Sequence, residues 1–467
     1  MLTRILSVLA VLFVFPFFPS VSAMNLQVAP GAPSCSDCDP TNACSGDCGD
    51  PGVACPFQEA LNIAQCNDED DTITLAAGSY DPTAITTADT ECGDDGFCYD
   101  GASNIEDSSL TITGAGKGLT FIDGGGGNVT GLQVDPFAET DDGLTLSITN
   151  ITFQNNGPTS GSNSGGLLVF MSNATMLLED NEFINNGGEQ LGGGGGGASL
   201  NGGSGSFTVN RNAFFDNQAL SAVAGGGAHA SVTDGNIVFT NNIFAGNFAE
   251  DNSGGGLDIA ADDGATVSIV NNTFFDNEAA FGGGIFLGLC DTNTSNIFNN
   301  IVYLNVALVG ADIAAGPFTK CTPDGEVNLF NNDFIVTEFA GAPLVVNQDA
   351  TNVNVDPLWV NAAGDDFHLT AASPVIDQGD LTPPGGLPTP DFDGVTRPQG
   401  PLPDMGALEF QIIPTPSPTP TPTPPASGLL LFGSGCSLGS GAEAFSFLRF
   451  LLLAPLFWGV QRLSRHR

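Results

Sequence analysis

Positive charge is what this 467-residue sequence has least of: nine Lys and Arg stand against 52 Asp and Glu, for a formal net charge of −43. Between residues 24 and 435 the only basic side chains are Lys117, Arg211, Lys320 and Arg397, and all but one of the 52 acids lie in the same stretch. Such a surface repels phosphate backbones and anionic lipid, which excludes nucleic acid as a partner. Charged residues of any sign make up only 13%, which disfavours a helical bundle laced with ion pairs. Long apolar runs are missing too, since none reaches, uninterrupted, the ~20 residues a membrane span needs. What is present in quantity is glycine, at 62, and proline, at 30, a balance that predicts a turn-rich β architecture with very little helix.

Residues 1–23 carry Arg4, an apolar run from Ile5 to Phe18 broken by Pro16, and Val21-Ser22-Ala23 as a small-residue cleavage site. This reads as a signal peptide, so the protein is expected to be exported to the cell surface, outer membrane or medium. Oxidising surroundings suit the cysteines: Cys35, Cys38, Cys44, Cys48, Cys55, Cys66, Cys92, Cys98, Cys290 and Cys321 form an even set expected to pair as disulfides. Cys290 and Cys321 are expected to staple neighbouring coils. The acidic surface has two readings, solubility or Ca²⁺ binding through loop carboxylates; no cofactor is demanded.

Repetition decides the fold. F-x-x-N recurs at Phe153, Phe183, Phe214, Phe244 and Phe274 with a step of about 30 residues, and weaker copies follow at Val302 and Phe334. Between copies lie Gly165-Gly166-Leu167, Gly195-Gly196-Gly197-Ala198, Gly225-Gly226-Gly227-Ala228, Gly254-Gly255-Gly256-Leu257 and Gly282-Gly283-Gly284-Ile285, each leading into apolar alternation. A third, β-branched stretch such as Thr266 to Val270 runs into Asn-Asn ahead of the phenylalanine. Three short strands per period cannot bury a face alone, but coiled and stacked they form a right-handed parallel β-helix, single-stranded and pectin-lyase-like, with strands paired between coils. The phenylalanines would stack inside, the asparagines would form an amide ladder, and the glycines would supply bends of positive φ. Seven such coils span roughly 34 Å.

The domain plan follows: signal peptide 1–23; a Cys-rich region and helix cap 24–66, with Phe57 to Gln65 at helical spacing; β-helix 67–340; a closing domain 341–410; a Pro/Thr-rich linker 411–427; and a tail 428–467. In the tail, Cys436 precedes an apolar stretch from Phe445 to Val460 and then Arg462, Arg465 and Arg467. It has the form of a sorting signal or anchor, engaging the membrane before or after processing at Cys436.

Several of these motifs resemble known families. The paired F-x-x-N and G-G-x-[I/L/A] repeats over Phe153 to Asn305 are similar to those of polymorphic outer-membrane proteins, β-helical surface adhesins, although that family's C-terminal barrel has no counterpart here. Cys55-Pro-Phe-Gln-Glu-Ala-Leu61 followed by Asp71-Thr-Ile-Thr-Leu-Ala-Ala-Gly-Ser-Tyr80 resembles the CSLREA-type opening of secreted β-helix proteins. Asp356-Pro-Leu-Trp-Val-Asn361, Phe367-His-Leu369, Ser373-Pro-Val-Ile-Asp377, Asp391-Phe-Asp-Gly394, Arg397-Pro398 and Asp404-Met-Gly-Ala-Leu-Glu409 resemble, in order, the choice-of-anchor Q domain. That resemblance implies a closing module of a surface β-helix and no reaction.

Catalytic signals are thin. A lyase of this fold would need a base beside an Asp cluster, yet Arg211 falls in the asparagine phase and Lys117 in a Gly-flanked turn, neither beside an obvious carboxylate group in the sequence. Asp141-Asp142, Asp262-Asp263 and Asp365-Asp366 read as turn acids. Positions two residues after the last glycine of each copy are expected to face outward: Leu168, Ser199, His229, Asp258 and Phe286. If in register, His229 and Asp258 are neighbours at ~4.8 Å, a candidate metal pair or acid–base pair. The leading expectation is a non-catalytic adhesin or carbohydrate-binding surface protein whose partner is a polysaccharide or cell-surface ligand. The alternatives are a polysaccharide lyase or glycoside hydrolase, and a structural stalk.

Overall fold

The computed structural model describes residues 25–30, 56–64, 70–85, 96–99, 109–135, 145–157, 165–188, 194–220, 224–262, 264–290, 293–316, 325–335, 337–339 and 344–411. Residues 1–23, expected to be a signal peptide, the expected tail with Cys436, Lys320, and Cys35, Cys38, Cys44, Cys48, Cys55, Cys66, Cys92 and Cys321 lie outside them. Among the described residues no helix is long and apolar enough to cross a membrane.

The body is a right-handed parallel β-helix. Sheet A has eleven strands, from Asn25–Val28 to Val345–Gln348; sheet B has nine, from Gly78–Tyr80 to Asp333–Phe334. Sheet C has five, from Gly187–Gly188 to Val306–Val309, and sheet D nine, from Gly96–Tyr99 to Thr337–Phe339. The stack is therefore longer than the seven repeat copies, because coils outside the phenylalanine array pair in the same register. It starts before residue 67, with Asn25–Val28 against Asp71–Leu75, and runs past residue 340, with Val345 opposite Glu326. Five coils also hold a fourth strand, of two or four residues, in sheet C that the pattern of three strands did not announce. The helix Phe57–Ala64 covers the first coils with seven buried side chains.

Alternation puts one face of each strand inside. Phe153, Phe183, Phe214, Phe244 and Phe274 are fully buried and stack with centroids 4.5–4.9 Å apart and planes within 4° of parallel. Two amide ladders flank this column. Asn156, Asn186, Asn217, Asn247 and Asn277 each donate from Nδ2 to the Oδ1 of the asparagine one coil on, at 2.9–3.0 Å. Asn181, Asn212, Asn242, Asn272, Asn300 and Asn332 do the same at the bend between sheets A and B, ending on Asn352. Every rung also takes a backbone N–H, as Asn217 N does on Asn247 Oδ1 at 3.1 Å, so buried bends keep no orphan donors.

Positive φ at these two bends is carried mainly by Asn and Asp, while the leading glycines of three clusters, Gly225, Gly254 and Gly282, carry it as expected at the bend into sheet D, at +76°, +67° and +59°. Asn241, Asn271, Asn299 and Asn331 sit near +55°, as do Asn185, Asp216 and Asp276 at the second bend, and Arg211 occupies the same conformation. Most clustered glycines serve another need: a Cβ on Gly166 would lie 2.6 Å from Gly197 O, and one on Gly227 2.9 Å from the Phe244 ring. Close packing of coils on the phenylalanines excludes a side chain there.

After Asn352 the chain leaves the helix and folds back along the outside of sheet B. Trp359, Phe367 and Leu408 pack on Phe215, Ile243, Ala245 and Phe275, while Leu369, Val375 and Met405 pack on Ile301 and Tyr303. The left-handed asparagines act as pegs: Asn241, Asn271, Asn299 and Asn331 donate to the carbonyls of Pro390, Asp404, Asp380 and Gln378 at 2.9–3.0 Å. The segment is a side strap rather than an end plug.

Candidate functional site

On sheet D the five positions expected to share a column do so, with Leu168 opposite Ser199, then His229, Asp258 and Phe286 on successive coils. His229 Nδ1 lies 2.8 Å from Asp258 Oδ2. The expected exposure is corrected: Leu168, Ser199 and Asp258 have none, and His229 keeps 6%. The cause is the bend before each strand, which folds back over the column. A Cβ on Gly254 would lie 2.6 Å from that of Asp258, and Ser253 Oγ donates to Asp258 Oδ1 at 2.6 Å. With one oxygen on Ser253 and the other on His229 Nδ1, Asp258 fixes the orientation of the imidazole. As a metal site the pair offers two donors, and among the described residues no group of three or more His, Cys, Asp or Glu is placed to hold an ion.

Two residues further along the same face the surface opens. Phe170, Asn201, Ser231 and Ala260 follow in register and are half-buried. Ser231 Oγ donates to Asn201 Oδ1 at 3.2 Å, and Asn201 Nδ2 donates to Ser199 Oγ at 3.0 Å. Phe286, also half-buried, adjoins Asp258 on the next coil. A strip of hydroxyl and amide groups thus runs between two partly exposed rings. The sequence pattern located the column but not this strip, since its members change type at every coil.

The basic residues are placed differently from the sequence expectation. Arg211 is beside carboxylates, with Nε 3.0 Å and Nη2 2.7 Å from the two oxygens of Asp180 on the preceding coil, and Glu179 3.1 Å away. The hydrogen bonds to Asp180 hold its guanidinium above the ordinary range against the pull of burial. A step of one period from Arg211 to Asp180 was the signal in the sequence. Lys117 Nζ sits 3.8 Å over the Phe392 ring of the strap, with no hydrogen-bond partner. Burial lowers its pKa, opposed by the charges of Asp180, Glu182 and Asp393. Beside it, His368 spans Asp366 and Asp393 at 2.7 Å each, and these carboxylates outweigh burial and raise its pKa. Arg397 is wholly buried, Nη1 donating to the carbonyls of Asp404 and Gly406, with Nε 3.3 Å from Glu409. Every described basic side chain outside the helix cap and tail is thus built into the fold.

Cys98 and Cys290, both buried, are each disulfide-bonded. About six strand spacings, roughly 29 Å, separate their strands in sheet D, so they are not bonded to each other and their partners lie outside the described residues.

No family model and no curated protein sequence matches the chain. Among solved structures, a pectate lyase described as "Crystal structure of pectate lyase Pel9A" is similar at 15% identity over 84% of this chain and 97% of that one, with a TM-score of 0.40.

Proposed function

We propose that this is an exported cell-surface protein that binds polysaccharide on the outer face of sheet D without cleaving it, an adhesin in the broad sense. The parallel β-helix is compatible with a surface protein and with a polysaccharide-related one alike. The observation that carries the reading is the half-buried strip of Asn201 and Ser231 between Phe170 and Phe286. Hydroxyl and amide groups that pair with sugar hydroxyls, beside aromatic faces that pack on sugar C–H surfaces, are the groups a carbohydrate site needs. The non-catalytic part is supported by the ion pairs that hold Arg211 and Arg397 and by the place of Lys117, over the Phe392 ring at the bend between sheets A and B and so away from the face of sheet D. Attachment of the tail to a membrane, with Cys436 as the processing point, belongs to the same proposal.

The test is a panel of acidic and neutral polysaccharides passed over the purified protein, with and without Ca²⁺, reading both retention and products. Retention without products, weakened by Phe286→Ala and untouched by Asp258→Asn, is the expected result. Products that vanish in Asp258→Asn would instead make His229 and Asp258 the acid–base pair of a lyase or hydrolase.

A further inference from the structure

The strip on sheet D has a definite length. One outward side chain per coil is half-buried along it: Phe170, Asn201, Ser231 and Ala260 on four successive coils, then Phe286 on the fifth. Pairing is unbroken through the five strands, so the two rings stand four coil spacings apart, roughly 19 Å at ~4.8 Å each. Phe286 falls two residues short of the column of the other four, opposite Asp258, so the line joining the rings is only slightly oblique to the axis.

Between the rings the strip offers hydrogen-bond acceptors. Asn201 spends its Nδ2 group within the sheet, on Ser199 Oγ at 3.0 Å and Val169 O at 3.3 Å, and Ser231 spends its hydroxyl hydrogen on Asn201 Oδ1. What remains are lone pairs on Asn201 Oδ1 and Ser231 Oγ, and these take donors. Exposed acids border them: Asp234 and Asp262 in the bends that follow the Ser231 and Ala260 strands, and Glu338 two coils past Phe286 in its column. The described basic side chains lie elsewhere, Lys117 and Arg211 on the bend between sheets A and B and Arg397 in the strap.

We infer, resting on the polysaccharide-binding reading of this face, that its ligand is an extended linear glycan of uncharged sugars. The glycan lies along the axis with one sugar per coil and its two ends stacked on Phe170 and Phe286. A β-1,4-linked chain is nearly straight and advances by close to one coil spacing per sugar, so about five sugars reach from ring to ring and a dimer reaches only one. Hydroxyls of the central sugars donate to Asn201 and Ser231. A uronic acid brings an acceptor-only carboxylate to those acceptors and to the acidic border, and is turned away.

Calorimetric titration of the full protein with β-1,4-linked oligomers of glucose, mannose and xylose, two to six sugars long, tests this beside galacturonate oligomers of the same lengths. For at least one uncharged series, affinity is expected to rise roughly tenfold or more between dimer and pentamer. Phe170→Ala and Phe286→Ala should each return the pentamer to near the dimer's affinity, while the dimer itself loses no more than about twofold in either. Phe170→Leu and Phe286→Leu keep the apolar volume, should leave the circular dichroism of the parent unchanged, and should show the same loss. Galacturonate oligomers should bind at least about tenfold more weakly at every length. Affinity that does not grow with length, or galacturonate bound as tightly as the uncharged chains, overturns the inference. So does failure of every uncharged oligomer while the polysaccharide panel is still retained, an outcome that leaves the broader reading standing. Absence of binding by oligomers and panel alike overturns both.

Discussion

The coiled body and the strap solve the same problem, burial of polar groups, in opposite ways. At the bends of the body the ladder groups are neutral amides, each bonded to its copy one coil away, and the buried rings repeat at the same spacing; Asp258 and Asp333 are buried acids outside the ladders. The strap has no repeat and clusters its buried charges: Arg397 and Glu409 have no exposed side-chain surface, and Phe392 N–H donating to Ala407 O and Glu409 N–H donating to Asp391 Oδ2 tie the two segments together. A periodic interior spreads its stability over many equivalent contacts. The strap concentrates its own in one cluster, so single substitutions should separate the two regions.

The largest effect is expected from Arg397→Ala, which strands Glu409 and Asp404 without their cation and should cost at least ~3–5 kcal/mol. Limited proteolysis should then cut the strap while the coils stay protected; uniform resistance would break the contrast. Phe244→Ala opens a cavity in the ring column and should cost ~3 to 5 kcal/mol, spread over the neighbouring coils. An unchanged melting curve would count against the stacked column as a stabilising feature. Asp333, at the junction of the two regions, comes next. Burial pushes its carboxyl up to about 7, only partly offset by the Val355 N–H on Oδ1. A raised folded pKa means the stability it permits is full below the ordinary carboxylate value of 3.8 and is lost as pH rises through about 7. Asp333→Asn should therefore raise the thermal midpoint at pH 8 and leave it nearly unchanged at pH 3.5; an equal gain at both would reject the account. The smallest effect belongs to Arg211→Asn, which removes a half-buried ion pair but restores the residue type of its bend, and should change stability by less than ~1 kcal/mol. Comparing it with Arg397→Ala measures how far context, not residue type, decides the outcome.

What could be read in the sequence was whatever the period repeats. Phenylalanine, glycine cluster and Asn-Asn doublet recur at one phase, and that phase alone placed His229 beside Asp258. The cap at Phe57–Ala64 was visible as local helical spacing. The exposure of the column was misjudged because the fold-back of a bend depends on Gly254 and Ser253, residues that look like any turn. Lys117 meets Phe392 across most of the chain, and no local pattern reports a contact of that range. The strap was legible as a distinct segment by resemblance; its course along sheet B was not, since its pegs are the same asparagines that serve as ordinary turn residues elsewhere.

The pegs give the strap a metric role. It touches Lys117 near the start of the stack and Asn331 near its end, with Asn241, Asn271 and Asn299 at fixed intervals between. Identical ladders would let whole coils be duplicated or deleted without disturbing their neighbours, so such a rod has no intrinsic length. A segment of fixed extent, keyed to successive coils, works as a gauge: a rod one coil too long or too short leaves a peg without its carbonyl, and the number of coils becomes a selected quantity.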